Sequence, residues 1–398
     1  MQQRLAGRWA VLAAWLAFIA VAALGTSAAG ASVSIDVPCS GTGGGAPGLI
    51  AAVNAANTGG GGSINLAGGC TYHLTTRNNM ADGGNGLPVV TSAITVNGNG
   101  ATIAGNNTNF RIFDIAGAEG GSLVLNALTV TGGKTPGPGG GIFNLEGTLT
   151  LNHSVVTGNT SGGGGGGIAT GTGNTGPIGV ATLNNSQVTW NTVVSTEGGG
   201  GGGILNHAGT LTVNSSEISH NTAPGGGGIA GGPGNGNTGG SSLVTLNKSI
   251  VSDNTATGGP FGGGGGIANG GTLVSNNSEV TGNTAAGGVG AGILNHADAT
   301  LNKTVVSGNS APNDGIGDDG LGGGIANANF GFVPGAPSPT LLVNNSQITD
   351  NSASGGGGGI ANIGIEAPPG TVTLHHTDVS ANDPDNCFPG DSIAGCTG

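Results

Sequence analysis

Charge is what this 398-residue chain has least of. Lys and Arg total seven and Asp and Glu 19, so charged residues are 7% of the chain against about 25% in ordinary soluble domains. That composition excludes the highly charged kind of disorder. With a net charge of −12 and so few cations, the chain is also a poor ligand for nucleic acid, because phosphate neutralisation needs Lys and Arg. No C-x-x-C spacing and no His pair accompanies the four cysteines, which leaves no basis for a structural zinc site and no cofactor is expected. The 91 glycines have no three-residue period, which excludes collagen. Beyond residue 24 no apolar run is long enough to cross a bilayer.

What the chain does have is a repeat. A glycine run ending in isoleucine occurs at Ile142, Ile168, Ile204, Ile229, Ile267, Ile293, Ile325 and Ile360. Each is followed by a second element of the form L-x-N-x-S-x-V-T-x-N-T. Its two Asn positions are always seven residues apart: Asn152/Asn159, Asn184/Asn191, Asn214/Asn221, Asn247/Asn254, Asn276/Asn283, Asn302/Asn309, Asn344/Asn351 and His375/Asn382. Spacings outside this block vary, so a rigid element alternates with elastic loops. Two and four residues after the first Asn stand small or β-branched residues, such as Ser154 and Val156. The position between them is mixed, from Val155 to Gln187 and Glu217. Period two means strand. Strands this short cannot bury a core alone and must stack on their neighbours. Stacking in register puts apolar columns inside and Asn ladders at the bends, where each amide bonds the next amide and turn backbone. The expected fold is an all-β, single-stranded parallel β-helix of about ten rungs, a rod on the order of 50 Å long.

The ends carry different signals. Arg4 and Arg8 precede an apolar run over residues 9–24, and Ala29-Gly30-Ala31 offers a small-residue cleavage site, so residues 1–31 read as a signal peptide. Its removal takes the net charge from −12 to −14 by the loss of two arginines. Residues 32–93 are expected to form an N-terminal cap, 94–382 the β-helix, and 383–398 a C-terminal disulfide cap. A helix over residues 47–57, with Leu49, Ile50 and Val53 on one face, would cover the open edge of the first rung. Strands follow at 63–66, 94–96, 102–103, 111–115 and 123–130. The cysteines Cys39, Cys70, Cys387 and Cys396 allow three pairings. The local one, Cys39 with Cys70 and Cys387 with Cys396, would close both ends in an oxidising compartment.

The Gly-Gly-Gly-Ile element followed by V-x-x-N, as in Val156 to Asn159, resembles the repeat of the chlamydial polymorphic outer membrane proteins. The lead-in ITVNGNGATIAGNN from Ile94 and LVLNALTVTGG from Leu123 is similar to secreted bacterial pectate-lyase-like proteins. The resemblance covers residues 46–382 and implies a right-handed β-helix, secreted or at the cell surface. Val or Ile stands where the chlamydial repeat has Phe, and no membrane barrel follows, so the chain is expected to be simply secreted. Pectate lyases hold calcium with clustered carboxylates and use a basic residue. After residue 31 this chain has Arg77, Arg111, Lys134, Lys248 and Lys303, with no carboxylate cluster beside the last two, and the Gly-His-Gly and Arg-Ile-Lys motifs of polygalacturonases are missing.

No catalytic residue and no metal ligand are therefore assigned. The candidate ligand-binding residues are Trp190, His220 and Asp253, six residues after the first Asn on successive rungs, with Glu217 on the rung of His220. An aromatic beside polar groups can stack on a sugar face. The expected function is a monomeric, non-catalytic solenoid presenting an extended surface to a glycan, cell wall or protein. The alternatives are a polysaccharide lyase or glycoside hydrolase, and a flat-surface binder of the ice-binding type. The last reading rests on an outward column of Thr150, Thr182, Thr212, Thr245, Thr300 and Thr373 that Val274 and Leu342 interrupt.

Overall fold

The computed structural model describes residues 33–106, 109–171, 178–195, 199–232, 242–258, 262–313, 320–331, 337–364, 367–390 and 393–396. The expected signal peptide lies outside the described residues. Over the described residues the chain is a right-handed parallel β-solenoid of about 11 turns with one short α-helix.

One turn shows how the repeat folds. The strand Ile142–Leu145 is followed by Thr148–Asn152, Val155–Thr157 and Thr160–Ser161. Each pairs in parallel with its equivalent a repeat later: Ile142 with Ile168, Asn152 with Asn184, Val156 with Val188 and Thr160 with Thr192. The equivalents of the first strand make a 10-stranded sheet, those of the second and third a bent 21-stranded sheet, and those of the fourth an 8-stranded sheet. Leu149, Leu151, Val156 and Ile142 are fully buried, as the alternation requires. Bends between strands are single left-handed residues. His153, Asn185, Ser215, Lys248, Asn277, Lys303, Asn345 and His376 form one column with φ between 46° and 51°. Non-glycine residues pay about 1–2 kcal/mol for that conformation. Here the bends from His153 to Asn345 are each held by a backbone bond to the next turn, such as His153 N–H to Asn184 C=O at 3.0 Å. The last of these bends is at His376. The strand ends at His375, and both histidines are exposed.

The two Asn columns differ in kind, which corrects the expectation of two like ladders at the bends. The first, from Asn65 through Asn97, Asn126 and Asn152 to Asn344, is a half-exposed ladder in which each amide donates to the one before it, as Asn152 to Asn126 and Asn184 to Asn152 at 2.9 Å. The second lies inside the core. Asn159, Asn191, Asn221, Asn254, Asn283, Asn309 and Asn351 are all buried, and Asn382, on the last turn, is partly exposed. The physical reason is the left-handed residue before each of them, which turns the chain so that the next side chain points inward. Its amides run the opposite way to the outer ladder, Asn254 donating to Asn283, Asn283 to Asn309, Asn309 to Asn351 and Asn351 to Asn382.

Asn221 illustrates the inner column. Its Oδ1 accepts from the backbone N–H and the Nδ2 of Asn191 at 2.9 and 3.0 Å. Its Nδ2 donates to Asn254 Oδ1 at 3.0 Å and Val188 C=O at 2.9 Å. Both donors and both lone pairs are used, so the amide is buried without an unpaired group. Across the core the Asn side chain takes the space beside the glycine run. A Cβ on Gly203 would lie 2.9 Å from Asn221 Nδ2, and one on Gly201, where φ is +70°, would lie 2.3 Å from Ile204 O. The two halves of the repeat are therefore one device. Ala291 alone replaces one of these glycines, in a fully buried site beside Ala285 and Ala311.

A third ladder was not anticipated. Asn144 donates to Thr170, Asn269 to Asn295, Asn295 to Asn327 and Asn327 to Asn362. It lies on the inner face of the 10-stranded sheet, two residues after each isoleucine.

The capping helix runs Gly45–Thr58 and buries Leu49, Ala52, Val53 and Ala56 against the first turns, with Ile50 packed at the margin. It follows an unanticipated strand, Val33–Val37, which pairs with Gly61–Leu66. A further strand, Thr71–Leu74, pairs with Ala93–Gly105. The strands expected at 94–96 and 102–103 are parts of that one long strand, bent at Asn99 and Gly100 with φ of 53° and 79°. Both disulfides form in the local pairing, Cys39–Cys70 and Cys387–Cys396. Cys387, Cys396 and Ile393 close the core at the other end.

Asn221→Ala strips the acceptor from two donors of Asn191 and is expected to cost about 3 kcal/mol or more, because buried polar groups are left unpaired. Asn214→Ala, in the half-exposed ladder, is expected to cost about 1 kcal/mol, because water replaces the lost partner. Thermal unfolding of the two variants checks the ordering, and equal losses would show that the inner column is not the stabilising one.

Candidate functional site

The third strand of each turn ends in Thr or Ser, after which the chain passes through a left-handed residue into the buried Asn. That residue forms a second column of bends: Gly158, Trp190, His220, Asp253, Gly282, Gly308, Asp350 and Ala381, with φ between 54° and 65°. Trp190, His220 and Asp253 are thus neighbours on successive turns, as expected, but they sit on a bend and not on a strand face. A left-handed bend points its side chain outward, which leaves Trp190 63% exposed. The rings of Trp190 and His220 stack with centroids 4.3 Å apart and planes 22° from parallel. Asp253 leans over the next turn, since a Cβ on Gly282 would lie 2.7 Å from its Oδ1.

Glu217 is occupied differently. Gln187 Nε2 donates to its Oε2 at 3.1 Å and Ser219 Oγ to its Oε1 at 2.7 Å. It braces the polar border of the bend. Hydroxyl rows flank the column on both sides, Thr157, Thr189 and Ser219 on one and Thr160, Thr192 and Thr222 on the other. An exposed indole between neutral donors and acceptors can stack on the apolar face of a pyranose while the walls bond its hydroxyls. The inner Asn column directly behind the bend, from Asn159 to Asn351, is sealed from solvent and meets no ligand.

The outer face of the 10-stranded sheet carries a groove of about 530 Å³, lined by Phe143, Leu145, Ala169, Leu205, His207 and His296 among others. The sequence signal for it is the apolar residue after each isoleucine, an outward position that a solvated sheet would make polar. His207 and His296 share a repeat position three turns apart, and burial lowers the pKa of both. Nδ1 of His296 lies 2.9 Å from Ala328 C=O and its ring 4.7 Å from that of Phe330.

Beyond one end of the groove lies a buried ion pair between residues three apart in the chain, which the sequence did not mark because Asn85, the residue that bridges them, comes from a separate segment. Arg111 and Asp114 are both fully buried, with Nη1 and Oδ2 3.6 Å apart. Asn85 bridges them, accepting from Arg111 at 2.9 Å and donating to Asp114 at 2.8 Å, and the guanidinium lies 4.8 Å from the ring centroid of Phe143. Arg111 Nε and Nη2 and Asp114 Oδ1 have no partner. Burial outweighs the attraction of Arg111 and raises the Asp114 pKa to about 6, and burial lowers that of Arg111.

For hydrolysis two carboxyl groups must stand about 5–9.5 Å apart. Glu217 and Glu279 are separated by the turn of Ile250, which puts them roughly 10 Å apart. Among the described residues no three His, Cys, Asp or Glu side chains are grouped to hold a metal, and no helix is long and apolar enough to cross a membrane. Comparison with protein-family profiles, curated proteins and solved structures finds no match.

Because its pKa is raised on folding, Asp114 contributes stability that is full below about pH 3.8 and lost as pH rises through about 6. Asp114→Asn has no such group, so the thermal midpoint of the wild type relative to the variant is expected to fall between pH 4 and pH 7. A pH-independent difference would show that Asp114 titrates normally.

Proposed function

We propose that the chain is a secreted, non-catalytic β-solenoid that binds carbohydrate at the Trp190 bend. The observation that carries this reading is the stacked, solvent-facing pair of Trp190 and His220, flanked by hydroxyl rows. A rod of stacked turns has no need of a large aromatic side chain at a solvent bend. Other turns fill the same position with Gly, Asp or Ala. An indole left in water costs hydrophobic free energy that a ligand can recover. The two disulfides, Cys39–Cys70 and Cys387–Cys396, suit an extracellular compartment. Rigid presentation follows from the ladders behind the bend, which limit the ordering cost of binding.

The register favours a second reading, a flat-surface binder. Thr150, Thr182, Thr212 and Thr245 pair in sequence and form an uninterrupted outward hydroxyl row, and Val274 breaks it on the next turn. Thermal hysteresis in the purified protein, reduced by Thr212→Tyr, is its expected signature.

A glycan array followed by product analysis tests the first reading. Binding without released ends is expected, with a loss of about tenfold or more in Trp190→Ala. New unsaturated or reducing ends would replace it with an enzymatic function. Unchanged binding in Trp190→Ala would remove the site.

A further inference from the structure

The geometry points to an uncharged pyranose ring as the ligand of the Trp190 bend, received over Gly158 on the indole face that His220 leaves open. This rests on the carbohydrate reading above and adds where the ring sits and what chemistry it has. The bend column carries glycine on the two turns before Trp190, at Gly132 and Gly158, with φ of 68° and 64°. A Cβ built on Gly158 meets a single heavy atom within 4 Å, Thr131 Oγ1 at 3.2 Å. Among the described residues the one ring stacked on Trp190 is that of His220, from the following turn. Successive turns rise by about 4.8 Å, so a ring pair 4.3 Å apart lies with its planes across the rod axis. The open indole face therefore looks along the rod into a notch one turn high, the thickness of one more stacked ring.

The walls of that notch are hydroxyls. On one side Thr189 Oγ1 bonds Thr157 Oγ1 at 3.2 Å, and on the other stand Thr160 and Thr192, paired in register. Glu217 lies on the turn beyond Trp190 and already accepts two hydrogen bonds. Lys134 pairs in register with Thr160 and is exposed, so its charge is screened and contributes little to selection. Stacking plus neutral donors and acceptors selects a neutral sugar over a uronate.

The bend column itself supplies the test. Gly158→His puts at φ +64° the residue that His220 already carries at φ +57°, so the backbone accommodates it, and the new imidazole would cover the open indole face as His220 covers the other. The full chain and its variants are titrated with neutral gluco-, manno- and N-acetylglucosamine oligosaccharides and with oligouronates. Iodide quenching of Trp190 is read as the difference between wild type and Trp190→Ala. Neutral oligosaccharides are expected to bind and to shield Trp190 from iodide. Gly158→His is expected to weaken binding by about tenfold or more with an unchanged melting profile, and Lys134→Ala to bind as wild type. If Gly158→His binds normally while Trp190→Ala does not, the notch is wrong and the carbohydrate site stands. Loss in neither variant removes both. Preference for uronates that disappears in Lys134→Ala overturns the neutral class. Should Gly158→His fail to fold, absence of iodide protection in the wild type together with lost binding in Trp190→Ala overturns the notch and leaves the carbohydrate site standing.

Discussion

The buried Asn column is the constraint on which the other regularities depend. Every parallel turn must bend its chain into the core side, and a bend leaves backbone groups that a strand ladder cannot pair. Asn191 and its equivalents on the following turns meet this need four bonds at a time, Asn191 accepting from the N–H and amide of Asn159 and donating to the amide of Asn221 and the carbonyl of Val156. An amide that large fits only where the facing chain has no side chain, hence the Gly immediately before each isoleucine. It also fixes the vertical register. A turn displaced by one residue would unpair the column along its length, since Asn identity recurs once per turn.

With register held from inside, the outside is released from structural duty. The second column of bends tolerates Gly, Trp, His, Asp and Ala in one backbone conformation, so its side chains can be chosen for what they meet in solvent. That is where the aromatic stack stands. The loops after the fourth strand vary in length for the same reason: they connect positions that the ladders have already set.

The strand content, the parallel stacking, both faces of the long sheet and the two ladder columns were legible because period two and the seven-residue Asn spacing are local patterns that repeat. The difference between the columns was not. Asn276 and Asn283 look alike in the repeat, as do Asn302 and Asn309 or Asn344 and Asn351, yet the second of each pair is buried and the first is half-exposed. Trp190, His220 and Asp253 were brought together by counting from Asn184, Asn214 and Asn247. Their bend conformation was not read, because Trp rarely adopts positive φ and the mark for it, glycine at the equivalent positions Gly158, Gly282 and Gly308, lies on other turns. The glycines before Ile142 and its equivalents could be read as a recurring element, but not as the seat of Asn159, which contacts them from across the core. The strands Val33–Val37 and Thr71–Leu74 carry no repeat and were missed.

By itself, then, the sequence determined what is periodic: an all-β solenoid with apolar columns and Asn ladders, a capping helix at one end, and cysteines confined to the two ends. Tertiary structure decided what depends on partners distant along the chain. It selected one of three disulfide pairings, brought Asn85 across to the buried pair of Arg111 and Asp114, opened an apolar groove on the outer face of the Gly-Ile strands, and turned Trp190 onto His220 across the boundary between two turns. The physical reason is one of range. Periodicity encodes which way a side chain faces, whereas contact between two side chains is set by stacking, which brings together residues some 30 positions apart, as with Trp190 and His220.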